Sequence, residues 1–177
     1  MNPDAPSPAN PPGPHVPAAL PEGRLVGRVA FGDAVRAAMA AAAAEGWSGI
    51  VLADDNFDGW PLGERAVVEG LNAWARQGRR LRLLARDFAL LRQQHPRFVQ
   101  WRTTWSHLVE AHGVPQASPH EIPGVIWTPT WTLERLDPVR CTLVAERSAE
   151  RRVALAERLD DWWAKGRPAF AATTLGL

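Results

Sequence analysis

SGIVLADDNFDGWPLGERAVVEGLNAWARQGRRLRLLAR (48–86) decides the architecture. SGIVLA (48–53) is a short apolar run suited to a buried strand. GERAVVEGLNAWARQG (63–78) then repeats Val67, Val68, Leu71, Trp74 and Ala75 at helical spacing and stops at Gly78. RRLRLLAR (79–86) returns to a strand pattern, in which Arg80 and Arg82 alternate with Leu81 and Leu83 and imply one wetter face.

The loop inside this unit, DDNFDGW (54–60), has the look of chemistry. Asp54, Asn56, Asp58 and Gly59 occupy positions 1, 3, 5 and 6 of a calcium-loop spacing. Such a loop closes on a bidentate Glu at position 12, but Arg65 stands there and Glu64 is one place early. The preceding flank is strand rather than helix. A divalent site of another kind, using Asp54, Asp55 and Asp58, stays open beside a plainer reading. In the plainer one, Asp and Asn side chains accept bonds from nearby backbone N–H groups in a strand-to-helix turn. Either way the loop follows a strand's carboxyl end, where open α/β sheets place ligand sites, so these three acids are candidates for a cleft rim.

Working outward, GDAVRAAMAAAAAEG (32–46) is helical on propensity, with Asp33 as its N-cap and Gly46 as its stop. A second helix begins at Pro96 with the stripe Phe98, Trp101 and Trp105, and ends near Ser106. LVEAH (108–112) follows as a strand, with a helix continued through Ala111 as the alternative, and 113–123 as a loop. GVIWTPTWTLERL (124–136) and RCTLVAE (140–146) are β-rich, and Ser148 caps a last helix closed by Gly166 and Pro168. Helices and strands alternating in this way give an α/β fold: one layered domain over 24–170, with a mixed β-sheet flanked by helices. Half of the 16 prolines precede residue 22, so 1–23 is expected to be a disordered tail, and 171–177 a short C-terminal one.

The 46% apolar content suits one core, and the net charge of +1 supplies no bulk field toward nucleic acid or anionic membrane. Cys141 is the lone cysteine, which precludes an intrachain disulfide and fits a reducing compartment. No apolar run approaches the ~20 residues that span a bilayer, nor does the N-terminus resemble a signal peptide; a cytoplasmic setting without membrane contact is the expectation.

GIVLADDNFDGWPLGER, RLRLLARDF, HPRFVQWRTTWSH and LDDWWAKGRPAFAATTLGL together resemble one half-domain of the phospholipase-D-like superfamily, and more narrowly an uncharacterised bacterial family with that fold. Active members carry H-x-K-x-x-x-x-D, in which the histidine attacks phosphorus, the lysine holds phosphate oxygens and the acid supports the motif. The resemblance places His120 at the histidine position, but Ile122 at that of the lysine and Trp127 at that of the acid. Isoleucine cannot hold a phosphate oxygen, and Lys165, the sole lysine, lies far along the chain. The resemblance therefore implies a degenerate, non-hydrolytic binding or scaffolding module with weak phosphate or anion affinity and no cofactor. Two alternatives follow. One is a phosphodiesterase or nuclease using His120 in a homodimeric site. The other is a nucleic-acid-binding accessory protein using the arginines.

Arg80, Arg82, Arg86, Arg97 and Arg102 form the one basic concentration and are the candidate phosphate or anion contacts, with a solvated face as the competing reading. His107, His112 and His120 lack the i, i+4 spacing of a helical metal pair, so no metal is assigned. Trp127 and Trp131 share parity on a straight strand and are expected to face one side together.

Overall fold

A computed structural model describes residues 19–77 and 80–172. Of the tail expected over 1–23, residues 1–18 lie outside them, as do the helix stop at Gly78, Arg79 and 173–177 of the end expected over 171–177. Within 19–23, the Pro21 carbonyl accepts from the Trp131 indole N–H at 2.9 Å and Gly23 already belongs to the first strand. The strands are β1 (Gly23–Val26), β2 (Gly49–Asp54), β3 (Arg80–Ala85), β4 (Val109–Gly113), β5 (Gly124–Trp127), β6 (Thr132–Asp137), β7 (Thr142–Glu146) and β8 (Arg167–Pro168). The helices are α1 (Arg28–Ala44), α2 (Arg65–Ala75), α3 (Ala89–Gln94), α4 (Pro96–Thr104) and α5 (Ala149–Lys165).

One mixed sheet runs β1-β7-β6-β5-β2-β3-β4-β8. The β2, β3 and β4 strands are parallel, and every other pairing is antiparallel. Pro168 is tolerated because β8 lies at an edge. Side-chain alternation divides the sheet between two cores. Ile50, Leu52, Leu81, Leu83, Val109 and Leu133 point into the larger one, with Val35 and Met39 of α1 and Leu71 and Trp74 of α2. Ala53, Leu84 and Val125 point the other way, onto Leu155 and Leu159 of α5. α1 and α2 approach closely at Gly70, where a Cβ would lie 2.6 Å from the Met39 carbonyl oxygen.

The sequence places several elements differently. α1 begins at Arg28, five residues before the expected Asp33 cap, because Gly27 at φ 102 breaks the chain away from β1. Asp33 pairs instead with Arg36 at 3.3 Å. The stretch 89–104 holds two short helices, α3 starting where Asp87 Oδ1 accepts from Ala89 N–H at 3.0 Å. Ser148 does cap α5, its Oγ accepting from Arg151 N–H at 3.2 Å. Trp127 and Trp131 do not share a face. Thr128 N–H donates to the Trp131 carbonyl at 3.0 Å and closes a turn between β5 and β6. Trp131 enters the larger core while Trp127 packs at the α5 side.

Candidate functional site

Asp54 ends β2 with its carboxylate 2% exposed. Its Oδ1 accepts from Asn56 N–H at 3.3 Å and Phe57 N–H at 3.1 Å, and Asn56 Oδ1 accepts from Asp58 N–H at 2.9 Å. The acidic loop is thus a pair of side-chain-closed turns of the expected kind. Asp54 Oδ2 is taken by Arg135 of β6, whose guanidinium also donates to the Asp58 carbonyl at 3.5 Å and lies 5.1 Å from the Phe31 ring centre. Gly124 stands beside both partners. A Cβ there would sit 3.0 Å from Asp54 Oδ2 and 3.1 Å from Arg135 Nε, so a side chain would press on the pair.

Glu134 adjoins Arg135 in sequence and therefore points to the opposite, α5 side of the sheet. It is 5% exposed, and its two oxygens accept from Arg151 at 2.6 Å and Arg158 at 2.7 Å. Arg151 also reaches Glu146 at 3.5 Å, so its charge is shared between two carboxylates, while among the described residues Arg158 is paired with Glu134 alone. From a third direction α1 opens toward the same space, with no side-chain cap and no acid in its first turn, so its leading N–H groups lack intrahelical partners. No carboxylate pairs with Arg28 among the described residues.

These walls enclose a pocket of about 540 Å³ at the carboxyl ends of β2 and β6, within the usual range for small-ligand sites. Arg28, Asp54, Asp55, Asp58, His120, Glu134, Arg135 and Arg158 all line it. His120 occupies an exposed turn in which Glu121 N–H donates to the Ser118 carbonyl at 3.2 Å, and its φ of 66 lies in the left-handed region. Its ring has no hydrogen-bond partner among the described residues. Cys141 also faces the pocket, its thiol pKa pushed up by burial.

The structure thus brings His120 together with Asp54, Asp55 and Asp58. Ile122 and Trp127, which the resemblance sets beside His120 in the motif, lie apart. Ile122 is a buried part of the pocket wall, and Trp127 gives its indole N–H to the Arg152 carbonyl at 2.9 Å. The five candidate arginines, Arg80, Arg82, Arg86, Arg97 and Arg102, do not gather. Arg86 Nε donates to Asp55 Oδ1 at 2.9 Å near the pocket, and that bond holds its pKa above the usual arginine value. Arg80 and Arg82 point to the α5 face, toward Glu110 at 3.6 Å and Asp160 at 3.1 Å. Arg97 donates to the Gly63 carbonyl at 3.3 Å. Arg102 is buried beside Phe170, where desolvation lowers its pKa.

Sequence reasoning missed Arg28, Glu134, Arg135 and Arg158. One signal was present: TLERL sets two adjacent charges in a strand flanked by apolar residues, so each face must supply a counter-ion. Among the described residues no group of three or more His, Cys, Asp or Glu side chains is placed to hold a metal. His112 is engaged elsewhere, its Nδ1–H donating to the Trp163 carbonyl at 3.0 Å. No helix among them is long and apolar enough to cross a membrane.

No protein-family model matches this chain, and no curated protein matches it significantly. Two solved structures share its fold. Nuc of Salmonella typhimurium, a phospholipase D family member, aligns with TM-score 0.53 and 14% identity over 82% of this chain and 97% of that one. TrmBL2, an archaeal chromatin protein described as having a novel mode of DNA binding, aligns with TM-score 0.59 and 13% identity over 82% of this chain. The chain spans about half of TrmBL2, 52% of its length. The fold is therefore phospholipase-D-like: a mixed α/β sheet with helices on both faces. At such identities the likeness speaks for the fold alone.

Proposed function

We propose that this protein is a non-catalytic binding module whose pocket holds a phosphate group weakly and leaves it intact. One observation supports the reading: Arg28, Arg158 and His120 share a pocket whose wall is apolar at Ile122. The resemblance sets Ile122 and Trp127 where a catalytic motif carries its lysine and acid, and Trp127 lies outside the pocket with its indole N–H on the Arg152 carbonyl. Guanidinium groups and an uncapped helix start suit an anion. Nucleophilic attack by histidine requires an oriented ring and preorganised charge around the phosphorane. Nothing among the described residues orients His120.

Calorimetric titration with inorganic phosphate tests the reading. Binding in the millimolar range is expected, and Arg28→Ala should weaken it about tenfold, the effect of one charge-assisted hydrogen bond of ~1.5 kcal/mol. Bis(p-nitrophenyl) phosphate should not turn over. Hydrolysis that vanishes in His120→Ala would overturn the proposal in favour of a phosphodiesterase, with a homodimer as the arrangement to examine next.

Nucleic-acid binding is the second reading, favoured by the likeness to TrmBL2. Arg80, Arg82, Arg86 and Arg97 would be its backbone contacts, though from separate parts of the surface, and Arg102 is buried. Retention of a random oligonucleotide at low salt, lost steeply as salt rises, would support it.

A further inference from the structure

The pocket has an apolar lip. Five large apolar side chains stand exposed among the described residues, and four of them belong to this end of the sheet. Leu136, near the end of β6, is 52% exposed and Val139, in the segment joining β6 to β7, is 84% exposed; both line the pocket. Val26 (64%) pairs in register with Thr142, beside pocket-lining Cys141, and Val29 (76%) follows Arg28 in α1. Isolated exposed valines are ordinary, whereas four exposed apolar side chains at one end of the sheet, Leu136 and Val139 of them on the pocket itself, mark a contact surface.

The lip is also held in shape. Asp137 Oδ1 accepts from both Val139 N–H and Arg140 N–H at 2.9 Å, which fixes the turn that presents Val139. Pro138 stiffens the same turn and lines the pocket with it. Arg28, unpaired among the described residues, lies between Val26 and Val29 in sequence. Arg28, Leu136, Pro138 and Val139 all line the one pocket, so cation and apolar surface meet there.

We infer that the pocket selects an amphiphilic anion: a phosphate monoester carrying an alkyl or aryl group. This rests on the phosphate reading above. The phosphate meets Arg28, Arg158 and His120, and the apolar group lies across Leu136, Pro138 and Val139. The charged end supplies orientation and the lip supplies affinity, since each methylene removed from water strengthens binding.

Calorimetry with inorganic, methyl, butyl and hexyl phosphate, below micellar concentrations, tests this on the full chain. Hexyl phosphate should bind at least ~10-fold more tightly than methyl phosphate, from the burial of several methylenes. The double variant Leu136→Ser/Val139→Ser, at exposed positions, should lose that gain and keep its affinity for inorganic phosphate. Equal affinities along the series, with inorganic phosphate still bound, overturn the amphiphile and leave the phosphate reading standing. Binding of no member overturns both. Sedimentation of the same two proteins gives the other decisive outcome: a wild-type dimer that dissociates in the double variant assigns the lip to a second copy and overturns the inference.

Discussion

Two arginine-bearing regions of this molecule have had opposite fates. The stretch 80–102 concentrates arginines in sequence, yet the fold scatters them: Arg80 and Arg82 to the α5 face, Arg86 to Asp55, Arg97 to a backbone carbonyl and Arg102 to the interior. The pocket draws Arg28, Arg135 and Arg158 from three distant segments and sets them on one cavity. Sequence density of charge therefore says little about charge density in space. Strand alternation and helix rotation disperse neighbours, while the ends of adjacent strands collect strangers.

The sharpest way to break this comparison is to remove one arginine from each region. Arg135→Ala leaves the buried Asp54 carboxylate without its counter-ion and should cost about 3–5 kcal/mol in urea denaturation. Arg82→Ala frees Asp160, whose side chain is largely exposed, and should cost under about 1 kcal/mol. Equal losses would mean that the pocket pair is no more structural than a surface bridge. Next in size is Gly124→Ala, which intrudes on Asp54 and Arg135 together; a loss of about 1–3 kcal/mol is expected by the same measurement.

A smaller effect belongs to His95, between α3 and α4 in the arginine-rich stretch. Its Nδ1 accepts from Gly63 N–H at 3.1 Å, and burial depresses its pKa below the usual histidine value. The unfolded chain then binds a proton that the native ring resists, so stability rises with pH through this window. It should be complete above about 6.5 and fall as pH drops from there toward the depressed native value. His95→Asn, which keeps an acceptor near Gly63, should flatten that part of a stability–pH profile. An unchanged slope would show that another group carries it.

Much of the fold was legible because it rests on local periodicity. The runs 48–53 and 79–86 and the stripe Val67, Leu71 and Trp74 dictate strand, strand and helix by their own spacing. Ser148 and Gly166 bound α5 by local backbone chemistry, and the turns of 54–58 close on their own side chains. Errors arose where a single residue redirects the chain, as at Gly27 ahead of α1 or Thr128 between Trp127 and Trp131. The site was half visible. His120 and the 54–58 acids belong to loops between readable elements, whereas the partners of Asp54 and Glu134 come from β6 and α5.

By itself, then, the sequence determined the alternation of helices and strands and the acidic turn at a strand's end. Tertiary structure alone decided which charges meet. Arg135 reaches Asp54 across a gap of 81 positions because β5 pairs antiparallel with both β2 and β6 and so brings their carboxyl ends to the same end of the sheet. Periodicity is written in neighbouring residues. A counter-ion for a buried carboxylate is chosen by strand order, which no local pattern encodes.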